Sequence, residues 1–149
     1  MFRKSLIAIS FICALAIVMH AQTGQTTSSQ GAGRGGSGGW KIPETAATEK
    51  NPLTINDSVI AAGKKLFESK CKRCHGPEGK GNGEDADAAH AQDMNLTRAD
   101  HARLNPDGVV FYKIWNGRTS PKMPVFSQDL TKEQVWAIVA FVQTLRKPS

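Results

Sequence analysis

The run Cys71-Lys72-Arg73-Cys74-His75 constrains this 149-residue chain more than any other stretch. On a helix, residues three apart lie on one face about one turn from each other. Cys71 and Cys74 can therefore both meet one flat partner, with the His75 imidazole next in line. Three ordinary uses compete. Structural zinc also starts from Cys-x-x-Cys but takes four ligands. The only other cysteine, Cys13, lies in an N-terminal segment that reads as removable, and His90 and His101 are spaced too widely for the usual histidine pair. A thioredoxin-like redox pair needs a βαβ context, and nothing in the chain alternates strands with helices. A disulfide between residues three apart is the remaining use, in an oxidising compartment.

The pattern points instead to covalent haem attachment. Each thiol adds across a vinyl group to form a thioether, and the neutral imidazole of His75 sits under the iron as proximal ligand. Because only the neutral ring ligates, protonation competes at low pH. One axial position is left, and methionine is its usual occupant when the task is electron transfer. Met1 and Met19 lie in the N-terminal segment, so Met94 and Met123 remain. Met123 sits between Pro121 and Pro124, which restrict its loop and leave it little conformational freedom to lose. It is the candidate ligand; Met94, His90 and His101 are the alternatives, and filling a core gap is the ordinary use of such a methionine.

Composition bounds the setting. Hydrophobic residues make up 40% of the chain and aromatics only 7%, so a single domain of about ninety residues has a modest core, and a buried haem supplies the large apolar partner it lacks. The formal charge is +6. Taking Arg3 and Lys4 away with the N-terminal segment leaves 17 basic against 13 acidic residues, a net +4. No basic stripe interleaved with aromatics is present, which argues against nucleic acid. A mild excess suits an acidic docking surface on a redox partner, or an anionic membrane surface. Lys64, Lys65, Lys70, Lys72, Arg73, Lys80, Lys113, Arg118 and Lys122 are candidates for a positive rim near the haem edge, with plain solvated charge as the ordinary reading.

In chain order, residues 1–21 have the parts of a secretory signal: basic Arg3 and Lys4, then an apolar stretch shorter than a membrane span. Retention as an N-terminal anchor is the alternative, and either way the domain is exported to the periplasm. Residues 22–56 read as a Gly/Ser-rich linker followed by an extended arm, with Trp40 making ordinary surface contact and none with a cofactor. The domain proper is expected over residues 57–149. Its first helix is capped by Asn56, Asp57 or Ser58, and Ile60, Gly63, Phe67, Cys71 and Cys74 recur at helical steps. Gly63 costs about 1 kcal/mol against alanine inside a helix, so a close helix crossing is expected there. The four-glycine loop Gly76–Gly83 is expected to run close to the haem face. Residues 84–103 read as loop with one short helix. Asn105 and Pro106 suggest a helix start, with Asn as cap and Pro in the first position. Val110, Phe111, Ile114 and Trp115 give that helix an apolar face, and Gly117 its end. Thr131 and Gln134 predict a capping box for a last helix, with Val135, Ile138, Val139, Val142 and Leu145 on one face. Arg146 and Lys147 suit the negative end of its dipole.

Cys71-Lys72-Arg73-Cys74-His75-Gly76, the glycine loop, Trp115-Asn116-Gly117, Met123-Pro124-Val125-Phe126 and the final helix occur in family order. From about Val59 to Leu145 the chain resembles a bacterial class I c-type cytochrome. The resemblance implies an all-α fold of about three to five helices wrapped around one covalent haem c, its N- and C-terminal helices crossing near Gly63 and Phe141. It also implies His75 and Met123 as the axial ligands of the iron. One departure stands out. Many relatives carry a proline where this chain has Asp93-Met94-Asn95-Leu96, and that proline's carbonyl often accepts the second N–H of the proximal histidine. The function implied is an exported mono-haem electron-transfer protein that is not itself an enzyme. The alternatives are a haem subunit of a larger dehydrogenase or oxidase complex, and a gas sensor or haem enzyme in which Met123 leaves the iron.

Overall fold

The computed structural model describes residues 39–146. The expected signal at 1–21, the glycine-rich tract up to residue 38, and Lys147 lie outside those residues. Seven α-helices carry the described chain: α1 (Glu44–Thr48), α2 (Asp57–Lys70), α3 (Lys72–His75), α4 (Ala91–Met94), α5 (Ala99–Leu104), α6 (Asp107–Asn116) and α7 (Lys132–Thr144). The β pairing among these residues consists of two isolated bridges, Lys80 with Asn95 and Arg118 with Met123. The fold is all-α, and four of its helices have six residues or more.

The first long helix starts where one of the three candidate caps is used. Asn56 has extended backbone, and its side chain accepts from the Val59 amide at 3.0 Å, satisfying one of the orphan donors of the first turn. The helix then crosses α7, and Gly63 is the reason it can. A Cβ at Gly63 would collide with the Ala137 carbonyl oxygen and lie 2.6 Å from its carbon and 3.1 Å from Phe141 Cβ. The expected crossing is there, backbone against backbone. Phe67, one turn further on, packs its ring on Phe141 with centroids 5.3 Å apart.

Helix α7 is the centre of the core. Thr131 accepts from the Gln134 amide at 3.2 Å, and the Gln134 side chain accepts from the Thr131 amide at 2.9 Å, which completes the predicted capping box. Every residue from Val135 to Val142 is buried. A helix buried on all sides holds the others around it: α2 covers one flank and α6 another, where Phe111 stacks on Trp136 at 4.2 Å.

Three expectations change. Helix α6 begins at Asp107 with Pro106 as its cap, and Asn105 does not cap it. The Asn105 side chain is drawn inward, donating to His101 O at 2.8 Å and accepting from Lys113 Nζ at 2.6 Å. Bonds to the preceding turn and to Lys113 replace the cap. Residues 84–104 hold three short elements where one was expected, a 3-10 turn at Ala88–His90 followed by α4 and α5; Asp87 starts the turn by accepting from the Ala89 amide. The arm, expected to be extended, contains α1 and docks on α6. Gly108 donates to Glu49 O, a Cβ at Gly108 would strike the Ala46 carbonyl, and Asn51 donates to Trp136 O at 2.8 Å.

Candidate haem site

The attachment run is one turn that hangs from α2. The Cys71 amide still bonds back to Phe67 O at 2.8 Å, while the Cys71 carbonyl accepts from both Cys74 N, at 3.2 Å, and His75 N, at 3.0 Å. That fixes the two thiols and the imidazole relative to one another. His75 Nδ1 lies 2.7 Å from the carbonyl oxygen of Met94. A carbonyl can only accept, so Nδ1 carries the proton and Nε2 keeps its lone pair. The carbonyl that serves the histidine is therefore supplied at position 94, without proline. Burial lowers the imidazole pKa, partly opposed by the Met94 bond, so the ring is held neutral. The Cys71 thiol is pushed up to about 12, by burial first and by Cys74 second, which keeps it from being a free thiolate.

The glycine loop supports this turn from outside. Gly81 N donates to His75 O at 2.8 Å, Gly83 N to Cys74 O at 3.3 Å, and Leu96 N to Gly79 O at 2.7 Å. Gly76, Gly79 and Gly81 all have positive φ, the region glycine enters without strain. A Cβ at Gly83 would collide with the Arg73 carbonyl, and one at Gly81 with that of Ala91. The close approaches are thus to the backbones of α3 and α4, and none of these glycines lines the haem cavity.

That cavity has a volume of about 160 Å³ and opens to solvent. Cys71, Cys74 and His75 line it from the attachment turn, and Met123 lines it from the loop before α7. The Met123 loop is closed by two backbone bonds with Arg118, each 2.9 Å. Phe67, Ile114, Phe126, Ile138 and Val142 supply an apolar wall. Trp115, part of the apolar face of α6, lies outside the lining; it stacks on Phe111 at 5.6 Å, and Lys132 Nζ lies 5.9 Å from its ring centroid. The donor set suits haem c: two thiols and a neutral imidazole on one turn, a thioether from another element, and a large apolar enclosure.

The cavity also gathers cations, among them Arg146, which the sequence did not single out for this role. Arg146, taken as a helix-end charge, is 8% exposed and donates to Leu96 O at 3.1 Å and to Asn105 O at 2.8 Å. Lys113 and Arg118 line the same cavity, and so does Trp40 of the arm. Trp40, expected to make no contact with a cofactor site, is part of its wall. Its ring lies 4.8 Å from Arg118 Cζ and 5.5 Å from Lys113 Nζ. The expected positive rim is thinner than the sequence suggested. Lys64 pairs with Glu68 at 4.0 Å, Lys80 with Glu78 at 2.5 Å, and Arg73 with Glu84 and Asp85 at 3.0 and 2.9 Å. Lys70 and Lys122 remain exposed at the cavity. His90 pairs with Asp87 at 2.8 Å on the surface. Among the described residues, no group of three or more His, Cys, Asp or Glu is placed to hold a metal ion.

Residues 60–146 match the Cytochrome c family, more than half of the chain. The chain belongs to the cytochrome c family. As a class I c-type cytochrome it binds haem c, with its iron, covalently, and its chemistry is haem-based electron transfer. Among solved structures, this cytochrome is similar to cytochrome CL from the marine methylotroph Methylophaga aminisulfidivorans. The two share 25% identity, over 70% of this chain and 69% of that one, at a TM-score of 0.51. A Kuenenia stuttgartiensis reducing HAO-like protein complex, Kustc0457/Kustc0458, contains a chain of similar fold. That match has 23% identity and a TM-score of 0.51, over 66% of this chain and half of the neighbour. The KustC0563 c-type cytochrome shares 30% identity over 57% of this chain and 98% of its own, at a TM-score of 0.47. No curated protein matches the chain.

Proposed function

We propose that this cytochrome is an exported, mono-haem electron carrier. Cys71 and Cys74 would hold the haem through thioethers, and His75 and Met123 would ligate its iron. The observation that carries the reading is the His75 imidazole, whose Nδ1 is committed to the Met94 carbonyl at 2.7 Å while the ring lines a cavity shared with both cysteines and Met123. The Nδ1 bond selects the tautomer and leaves Nε2 for iron. Met94 lines the same cavity, but its backbone is tied to the ring at Nδ1, whereas Met123 comes from a separate element, which favours Met123 as the second ligand. When bound, haem supplies a one-electron Fe(III)/Fe(II) couple.

The residues around it do the remaining work. With His75 and Met123 both on the iron, no site would be left for a substrate, which favours a carrier over a haem enzyme. Phe126, Ile138 and Val142 keep water off the cavity wall, and low water content together with a thioether ligand raises the potential. Lys70 and Lys122 at the cavity edge give an acidic partner a place to dock. Export fits the signal-like residues 1–21 and the location of thioether attachment in bacteria, outside the cytoplasm. Among the described residues no helix is long and apolar enough to cross a membrane.

The test starts with a pyridine haemochrome spectrum and acid-acetone extraction of the purified protein; one haem per chain should resist extraction. Met123→Ala should keep that haem, lower the potential, and let the reduced protein bind carbon monoxide, which the parent should not bind. Met94→Ala leaves the backbone carbonyl in place and should change neither property. Haem released as free haem would refute the thioethers, and the opposite pattern in the two methionine variants would refute the ligand choice.

A further inference from the structure

We propose that the arm preceding the family-matched residues is part of the cofactor site: Trp40 braces Lys113 and Arg118, and these two cations with Arg146 form a wall that receives the carboxylates of the haem. The inference rests on the haem reading above and adds to it a segment, residues 39–51, that lies outside the matched stretch 60–146.

The arm is anchored, so Trp40 does not reach this place as a loose end. Ala46 is buried at 4% exposure, Gly108 donates to Glu49 O at 3.2 Å, and Asn51 takes up both the Asp107 carboxylate and the Trp136 carbonyl. Trp40 then lies within cation–π range of Lys113 and Arg118, a contact that gains strength where water is excluded. Arg146 is fixed from another direction: its Nε and Nη1 are committed to Leu96, Asn105 and Gln143. Among the bonds within the described residues, Nη2 is left for an anion. Lys113 gives one of its three protons to Asn105 at 2.6 Å and has two more to offer.

Three cations lining one half-enclosed cavity repel each other. Burial pushes the Lys113 ammonium down to about 8, and Arg118 and Arg146 push the same way. Asp93 is the one carboxylate among the causes that opposes this. A positive cluster held against its own repulsion is matched by an anion of comparable charge. Haem carries two carboxylates at one edge of an otherwise apolar disc, and this cavity offers an apolar wall with cations grouped at one part of it. Trp40 covers Lys113 and Arg118 with an aromatic face, shielding carboxylate and cation together from solvent.

The experiment uses the full-length, haem-loaded protein and its reduction potential, measured in low and high salt. Lys113→Met and Trp40→Ala are compared with the parent and with Lys132→Met, a cation on α7 that lies over Trp115 and away from the cavity. A cation beside the haem favours Fe(II), the less positive iron. Lys113→Met should therefore shift the Fe(III)/Fe(II) equilibrium toward Fe(III) about tenfold, which for one electron is about 59 mV. Trp40→Ala should shift it the same way by about threefold and make the potential more sensitive to salt, because the unshielded cations are then screened. Trp40→Phe, which keeps a ring, should restore most of the parent value, and it stands in if Trp40→Ala fails to fold. Haem-loaded variants whose potentials match that of Lys132→Met would overturn the wall and leave the electron-carrier reading intact. A parent protein with no covalent haem would overturn both.

Discussion

Alanine is the better helix former by about 1 kcal/mol, so at an ordinary exposed helix position Gly63→Ala would stabilise the protein. Here it should do the opposite. The new methyl would collide with the Ala137 carbonyl oxygen and sit 2.6 Å from the carbon behind it. The clashing atoms are backbone, so no side-chain rotation relieves them, and α2 has to back away from α7. Overpacking of this kind costs about 1–3 kcal/mol, and here it parts a crossing that buries Phe67 and Ile138 to 1% exposure each. A clash with backbone belongs in the upper half of that range, about 2–3 kcal/mol, so after the propensity gain a net loss of about 1–2 kcal/mol is expected, or a fall in Tm of about 5–15 °C for a domain of this size. Thermal melts of the haem-loaded protein by far-ultraviolet circular dichroism measure it. Ala62→Gly, on the exposed side of the same helix, gives the propensity effect alone as a scale. A Gly63→Ala protein that melts at or above the parent would refute the backbone contact.

Thr131→Ala removes one half of the capping box of α7 and should cost about 1 kcal/mol in a denaturant titration; no change would mean that helix gains nothing from its cap. Lys122→Glu should slow association with an acidic redox partner at low ionic strength and matter far less at high salt, and a rate constant independent of salt would remove Lys122 from docking. The Asp100 carboxyl is drawn down to about 2, chiefly by its hydrogen bond from Arg98. A depressed carboxylate stabilises the fold above the ordinary value of 3.8 and loses that contribution as pH falls through about 2. The small Tm difference between the parent and Asp100→Asn should therefore be present at neutral pH and vanish in strong acid; a difference that grew on acidification would contradict the ion pair.

The features legible in the sequence were those written in local spacing. Cys71, Cys74 and His75 share a turn because three- and four-residue steps decide that. Gly63 signalled a crossing because a helix does not carry a glycine without cost, and Thr131 with Gln134 signalled a cap because both partners lie within one turn. What escaped has no local signature. The Met94 carbonyl is a backbone group that any residue there would present, so its side chain could not announce it. Asn105 had the right chemistry for a cap, but Lys113 and His101 claimed its amide through the fold. Arg146 reads equally well as a dipole charge or as a buried anchor until Leu96 and Asn105 are seen beside it. Trp40 meets residues more than seventy positions away, across an arm whose prolines and polar residues carry no period.

The hydrogen bonds around His75 also bear on speed. Its ring is tied to Met94 O, its own carbonyl to Gly81 N, and Gly79 O to Leu96 N, so the histidine, the glycine loop and the segment at 94–96 form a closed circuit. An imidazole held from both its ring and its backbone would have little room to tilt or slide as the iron it is proposed to ligate gains or loses charge. Little nuclear rearrangement then accompanies each electron, and the barrier to exchange falls largely to the partner and to the surrounding water. A residue deleted from the glycine loop would leave both thioethers and the imidazole in place, yet should slow self-exchange, because it would open the circuit that keeps the ring still.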